Sequence, residues 1–519
     1  MTMKKQLILL GIIISFSFIM ANGQAPADKH LCKPCESLKD LNIPDVQILQ
    51  ADSRQSDTIK ATEIVPELIV HVPFCHVIGL IGKEIEFDLY LPQKWNGRFL
   101  MSGNGVFAGS FQHFLTPQVN HGFALVATNT GHNADALIAD WALNNMERQL
   151  NFGHLAVHRT AMVSKFLIKQ AYCSEISYSY FVGCSRGGGQ AMMEAQRYPD
   201  DFNGIVCGAP AFKWPGLAAQ GIRECQTNYP DPKDGADPVI SSDNLKLLGE
   251  IVNSQWDKLD GVGDGIINEP NLYKIDFDKL PRCENEVPAK TCFTNKQLTA
   301  IRTIYEPLVV NDIQIYPGYP VGLEAEPFGL DIWIAGTNPA IKPSLHRTAS
   351  VAIFKYLIFN NPSWDYTKYD FKNFFQDTKY ASSYLDASQA DYSGFKKQHG
   401  KMIMYHGWND QAISAFSTIE HYEEAKEVDN DLTDYIRLFL LPGVLHCGSG
   451  KGADDVDWVK LIQDWVENNH APDRVILSKK DNGKTVMTRP VYPYPKVAVY
   501  SGKGDSKDEK NFILKENKN

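Results

Sequence analysis

An α/β fold interrupted by a long insertion is what this sequence predicts, on three observations. Strand-like and helix-like segments alternate up to about residue 212. The alternation lapses between 213 and 395. It then resumes from about 396. Such alternation indicates a parallel sheet covered by helices. The expected organisation is a core built from 24–212 and 396–519, with 213–395 inserted as a lid.

The chain begins with a segment that reads as a signal peptide. Lys4 and Lys5 form a positive start, residues 6–20 are apolar, and Ala21-Asn22-Gly23 places small residues where a signal peptidase reads, so 1–23 is expected to be removed before Gln24. The apolar run is shorter than the ~20 residues of a spanning helix. No later segment is long and apolar enough, so no stable membrane span is expected. Export to a periplasmic or extracellular space follows, and there some of the ten cysteines should pair.

Residues 24–60 are polar and irregular. Residues 61–91 alternate in the manner of antiparallel strands leading into a larger sheet. Residues 97–109 form a short apolar strand ending in a Gly-rich loop, and 121–130 a second buried strand. Helical periodicity over 151–172 places Ala156, Thr160, Val163 and Leu167 on one face. A strand at 178–183, a helix at 188–199 and a strand at 202–210 follow. The insertion is rich in Pro, Gly, Asp and Trp, with scattered helical segments such as 295–305. A strand followed by a turn at 401–410, a strand at 436–443 and an amphipathic helix at 455–468 complete the core.

Hydrophobic residues at 44% suffice for a large core, and the net charge of -10 argues against a nucleic-acid partner, which needs a basic face. Cys32-x-x-Cys35 has no second CxxC to complete a zinc site and no thioredoxin-like βαβ context, so it reads as disulfide cysteines. His154 and His158 stand four apart on a helix but lack the Glu of a metalloprotease motif, and read as structural.

The segment Gly183-Cys184-Ser185-Arg186-Gly187 matches G-x-S-x-G between a strand and a helix. In that context the turn is so tight that its flanking residues must be small, and it lifts the serine oxygen above the sheet. A serine hydroxyl needs a base. Two later strand-ending loops supply candidates in the order Ser, Asp, His: Asp410 and His446. His406 competes as base but precedes Asp410. Cys184 directly precedes the serine and Cys447 directly follows His446, so a bond between them would hold Ser185 and His446 side by side. A loop that long allows a loop-closure stabilisation of roughly 3–5 kcal/mol. Asp257, Asp260 and Asp264 form a second constellation, with Gly261 and Gly263 between the last two and Gly265 directly after. Three carboxylates so close repel unless a cation joins them, and both calcium and a solvated polar turn fit that pattern.

This Cys-Ser…Asp…His-Cys arrangement resembles the signature of the tannase and feruloyl esterase family, which also includes an esterase acting on mono(2-hydroxyethyl) terephthalate. The resemblance rests on residues 96–109, 183–211, 257–267, 406–414 and 441–450. It implies an α/β-hydrolase core and a lid forming much of the substrate pocket. It implies structural calcium held by the side chains of Asp257, Asp260 and Asp264 and the carbonyls of Val262 and Ile266. Many relatives have a Cys before the first Asp; Trp256 stands here, so that lid disulfide is expected to be absent. Resemblance and spacing suggest Cys35–Cys75 and Cys283–Cys292 as further bridges, and leave Cys32, Cys173, Cys207 and Cys225 unassigned. One oxyanion donor should be the N–H of Arg186 and the other that of Gly105, although Val106 departs from the denser glycine run of relatives.

The expected activity is that of a secreted serine esterase on esters of aromatic acids. Its substrates would be small molecules or polysaccharide-linked, hydroxycinnamates or gallates. A general carboxylesterase is the alternative within enzymes. A non-catalytic calcium-dependent binding protein is the alternative outside them, and the retention of Ser185, Asp410 and His446 counts against it.

Overall fold

Nine strands of this chain hydrogen-bond into one sheet, in a computed structural model that describes residues 28–60, 67–233, 235–339 and 341–515. The expected signal peptide lies outside the described residues. In chain order the strands are β1 (Val46–Arg54), β2 (Phe74–Ile81), β3 (Ile85–Pro92), β4 (Arg98–Ser102), β5 (Ala124–Thr128), β6 (Tyr178–Cys184), β7 (Gly204–Gly208), β8 (Lys401–Gly407) and β9 (Ile436–Leu441). The order across the sheet is β9-β8-β7-β6-β4-β5-β3-β2-β1. The six strands from β9 to β5 are mutually parallel, and β3, β2 and β1 continue the sheet antiparallel.

The parallel strands are covered on both faces, and their residues divide by period two. Phe99, Met101, Phe181, Ile205, Met404 and Leu438 face one core. Leu100, Tyr180, Val206, Ile403 and Phe439 face the other. Helices α1 (Ala156–Tyr172) and α2 (Arg186–Arg197) cover the first face, and a C-terminal helix (Trp458–Asn468) lays Ile462 and Trp465 on the second. This is the α/β-hydrolase arrangement. Because the strands from β4 to β9 run the same way, the loops after β4, β6, β8 and β9 emerge at one end, where ligands bind in such sheets.

β7 and β8 are paired neighbours, so everything between them is an insertion. It is more helical than the sequence reading allowed. It contains α3 (Trp214–Asn228), α4 (Ser242–Trp256), α5 (Asn295–Tyr305), α6 (Leu345–Ala352) and α7 (Phe374–Leu385). The breaker residues misled the reading of α3. Pro215 sits in its first turn, where proline is tolerated. Gly221 lies where α6 approaches so closely that a Cβ would come 2.1 Å from Ser350 Oγ. Ser241 and Thr294 cap α4 and α5 with reciprocal capping boxes. Two C-terminal hairpins, Val475–Asp481 with Lys484–Val491 and Val497–Tyr500 with Phe512–Lys515, were not anticipated either.

Four disulfides staple the chain. Cys184–Cys447, Cys35–Cys75 and Cys283–Cys292 are the expected pairs, and Cys32 joins Cys173 at the end of α1. Cys207 and Cys225 are buried free thiols. No helix of the described residues is long and apolar enough to cross a membrane.

Candidate active site

The turn between β6 and α2 places Ser185 at φ 64° and ψ −122°, a conformation few non-glycine residues adopt. The chain reverses here so tightly that neighbours must lack side chains. A Cβ on Gly183 would lie 2.5 Å from the Gly187 carbonyl carbon, and one on Gly188 2.2 Å from the Gly208 oxygen. The strain is concentrated on a half-buried serine whose hydroxyl caps no helix N–H.

Asp410 and His446 follow β8 and β9. His446 Nδ1 lies 2.8 Å from Asp410 Oδ2. Asp410 is fully buried, and its other oxygen accepts the N–H groups of Ala412 and Ile413, both at 2.9 Å. Burial pushes its carboxyl pKa up. The opposing charge of His446 and the hydrogen bonds of His406 and His446 outweigh that, and hold it far below the usual carboxylate range. These contacts favour the ionised form of Asp410 opposite the imidazole. Cys184 and Cys447 are bonded with Cα atoms 5.9 Å apart, which brings their neighbours Ser185 and His446 to the same end of the sheet.

His406, set aside in the sequence as a competing base, serves Asp410 instead. It is fully buried, with Nε2 3.2 Å from Asp410 Oδ2 and 3.0 Å from the Ile413 carbonyl, and Nδ1 2.9 Å from the Thr418 hydroxyl. Trp333 of the insertion was also not singled out. Its ring meets that of His446 edge to face, with centroids 5.3 Å apart.

The Gly-rich loop after β4 packs on the start of α2. The Gly187 N–H is taken by the Asn104 carbonyl at 2.7 Å, and the Asn104 N–H by Gln190 Oε1 at 3.0 Å. Neither is left for a bound oxyanion, so the N–H groups of Arg186 and Gly105 are the next ones along on either side. The Arg186 side chain points away into the protein. Its guanidinium lies over Phe152 and Trp214, 4.4 and 5.2 Å from the ring centroids, and donates to the carbonyls of Phe152 and Gly153. Burial lowers its pKa to about 9. It thus ties the nucleophile helix to the turn before α1 and to the first residue of α3.

Asp257, Asp260 and Asp264 lie directly after α4. Each turns one oxygen inward to a backbone N–H: Gly265 at 2.7 Å, Val262 at 3.0 Å and Ile266 at 3.0 Å, respectively. The second oxygen of Asp260 is buried without a partner among the described residues. Burial pushes Asp260 up to about 6 and Asp264 upward as well. A hard cation would relieve each of these features, and the donors are all oxygen. Two observations weigh the other way. The Arg489 guanidinium lies 3.8 Å from Asp264 Oδ2. The His and carboxylate cluster whose ligand atoms do fall within 4.8 Å of one another among the described residues is His158, Glu194 and Asp201, elsewhere in the fold. There His158 hydrogen-bonds Asp201 at 2.6 Å and His154 bonds the Tyr198 hydroxyl at 2.7 Å, in keeping with a structural role.

Known proteins resemble this chain over most of its length. The family model described as tannase and feruloyl esterase matches residues 69–514. A probable feruloyl esterase B-1 of Aspergillus flavus is 30% identical over 95% of this chain and 97% of its own. A mono(2-hydroxyethyl) terephthalate hydrolase of Piscinibacter sakaiensis is 29% identical over 92% and 91%. The crystal structure of feruloyl esterase B from Aspergillus oryzae superposes with a TM-score of 0.82 at 26% identity, covering 92% of this chain and 99% of that one. A tannin acyl hydrolase from Aspergillus niger shares the fold, with a TM-score of 0.71 at 19% identity over 95% and 97%. A match over most of the chain, to relatives of nearly the same length, places this protein in the tannase and feruloyl esterase family of carboxylic ester hydrolases.

Proposed function

We propose that this protein hydrolyses esters of aromatic acids through an acyl-enzyme on Ser185. The observation that carries the reading is the Asp410–His446 hydrogen bond, pinned by a disulfide to the strained turn that presents Ser185. Ser185 Oγ attacks the ester carbonyl carbon while His446 Nε2 takes its proton. Asp410 holds the imidazole in the tautomer with the proton on Nδ1 and stabilises the cation that forms. The N–H groups of Arg186 and Gly105 receive the developing oxyanion. His446 then protonates the leaving alcohol, the C–O bond breaks, and the acyl group remains on Ser185. Water, deprotonated by His446, attacks that acyl carbon and restores the serine.

Two features favour an aromatic acyl group over a small aliphatic one. Trp333 offers an aromatic wall beside the base, and relatives named feruloyl esterase and terephthalate half-ester hydrolase match nearly the whole chain. Residues 213–395 act in this reading as a lid over the serine, and the four disulfides suit an exported protein. A panel of methyl ferulate, methyl gallate, a terephthalate half-ester and p-nitrophenyl acetate tests the preference. At least one aromatic ester should show a higher kcat/KM than the acetate. Turnover of the acetate alone would make this a general carboxylesterase.

Within the same reading, Asp257, Asp260 and Asp264, with the carbonyls of Val262 and Ile266, would hold one calcium ion in a structural role. An ion that binds only the folded state stabilises it by mass action, about 2.7 kcal/mol at a hundredfold excess over Kd. Stripping it with a chelator should lower Tm by roughly 3 °C, and added calcium should restore it. A melting curve indifferent to chelator, with no calcium found by elemental analysis, would leave the loop as a plain acidic turn braced by Arg489.

A further inference from the structure

His346 is a buried imidazole that the reaction above does not use. It sits on α6, in the insertion, with both ring nitrogens against acceptors. Nδ1 is 2.8 Å from Glu224 Oε2 on α3, and Nε2 is 3.0 Å from the Ala412 carbonyl oxygen. Glu224 is buried too, and its other oxygen accepts from Gln220 at 3.1 Å. A ring between a carboxylate and a carbonyl needs two protons to satisfy both contacts. The Glu224–His346 unit therefore carries one proton between the carboxylate and Nδ1 and a second on Nε2, whichever partner holds the first more tightly.

The carbonyl that His346 contacts belongs to the loop that carries Asp410. Ala412 C=O and Ile413 N–H are the two ends of one peptide group, and that N–H donates to Asp410 Oδ1 at 2.9 Å. A donor on the oxygen end polarises the peptide and strengthens the donor at its nitrogen end, most strongly when the imidazole carries the charge. It also fixes the plane of the peptide, and with it the direction of the N–H. Tyr319, also of the insertion, adds its hydroxyl to the same carbonyl at 3.2 Å. From this side, the fold of the insertion sets the orientation of Asp410.

We propose that the Glu224–His346 pair is a positioning device for the hydrolytic reaction, in which the insertion orients Asp410, and through it His446, by way of the Ala412–Ile413 peptide. The inference rests on the reading of Asp410 as the partner of the catalytic base. It assigns to the insertion a role in the proton-transfer machinery itself, besides any part it has in enclosing substrate. It also makes that role dependent on a proton. The groups facing the imidazole are Glu224 from α3, Asp410 from the loop after β8, and the phenol of Tyr319. The Tyr316 hydroxyl, which accepts from Ser414 N–H at 3.1 Å, lies on the same segment, and the Trp333 ring stands between His346 and His446. The neighbouring Arg347 turns away to the carbonyls of Pro232 and Lys233. Burial lowers the His346 pKa, but Glu224, the Ala412 carbonyl and Asp410 together raise it above its ordinary value. The pair with both ring nitrogens protonated is thus favoured below the raised value, and its second proton is lost as pH rises through it.

The test is steady-state kinetics of His346→Phe, Glu224→Gln and Tyr319→Phe in the whole protein, on methyl ferulate and p-nitrophenyl acetate, from neutral to alkaline pH, beside melting curves. His346→Phe is expected to lose about 10-fold in kcat with KM held within about twofold, since a misdirected Asp410 impairs proton transfer and not substrate binding. Glu224→Gln removes the charge that holds the proton, so its kcat should begin to fall at a lower pH than that of the wild type. Tyr319→Phe should keep the wild-type pH profile, because it leaves the protonated pair intact. Asp410→Asn separates the two readings: if it remains active, the assignment of Asp410 falls. If Asp410→Asn is dead while a folded His346→Phe keeps its kcat, only the inference about His346 falls. Should His346→Phe not fold, an alkaline limb that Glu224→Gln leaves in place overturns the inference equally.

Discussion

Replacing Ser185 by Ala is expected to reduce turnover of every ester by at least about 1,000-fold while leaving the melting temperature near that of the wild type. Loss of the nucleophile removes covalent catalysis outright, and what remains comes from the oxyanion donors and substrate positioning. The fold should be indifferent for a specific reason. Ser185 sits at positive φ, and alanine carries the same Cβ, so the backbone strain of the turn does not change. The hydroxyl caps no N–H of α2, so its removal orphans no helix donor. Parallel activity and melting measurements check both halves. Substantial ester hydrolysis by a correctly folded Ser185→Ala protein would remove the serine from the mechanism.

The second large effect is expected from Cys184→Ala combined with Cys447→Ala. The bond joins residues 263 positions apart, one beside Ser185 and the other beside His446. Without it, the loop after β9 is held to the turn after β6 only by packing. A nucleophile and its base must stay within about 2.6–3.2 Å, and a displacement of about 1 Å can cost on the order of 100-fold in rate. We therefore expect kcat to fall about 100-fold, with a much smaller change in KM, and a lower melting temperature because the longest disulfide loop has been opened. A double variant with wild-type kcat would show that packing alone aligns the two loops. Peptide mapping of the unreduced protein should recover Cys184 and Cys447 in one linked pair.

Much of this site was legible in the sequence because it is built from local signals. The strand, the G-x-S-x-G turn and the helix that follows Ser185 are contiguous. Asp410 and His446 each follow a short apolar strand, and the cysteines beside Ser185 and His446 link those two loops in the sequence itself. The parallel core was legible for the same reason: β4 to β9 are short apolar runs bounded by turns. What escaped the sequence depends on long-range contact. Glu224 and His346 are 122 positions apart, and nothing local to either residue points to the other. His406 looked like a rival base because its burial against Asp410 and Ile413 cannot be seen in a linear order. In α3, Pro215 and Gly221 belong to the Pro and Gly content that made the insertion look loop-rich, although one occupies a permitted first-turn position and the other admits α6. Cys35 pairs with Cys75 as resemblance and spacing suggested, but the Cys32–Cys173 bond joins residues 141 positions apart that no local signal connects.

The central claim is that esters are cleaved by an attack of Ser185 that His446 assists. The most direct test is covalent capture with a fluorophosphonate, which phosphonylates a serine only where a base and oxyanion donors activate it. Intact mass followed by peptide mapping should find one adduct per chain, on the peptide containing Gly183-Cys184-Ser185, with the loss of activity tracking its formation and with labelling suppressed in His446→Ala. Complete inactivation with the label on another residue, or full activity retained after Ser185 is labelled, would contradict the account.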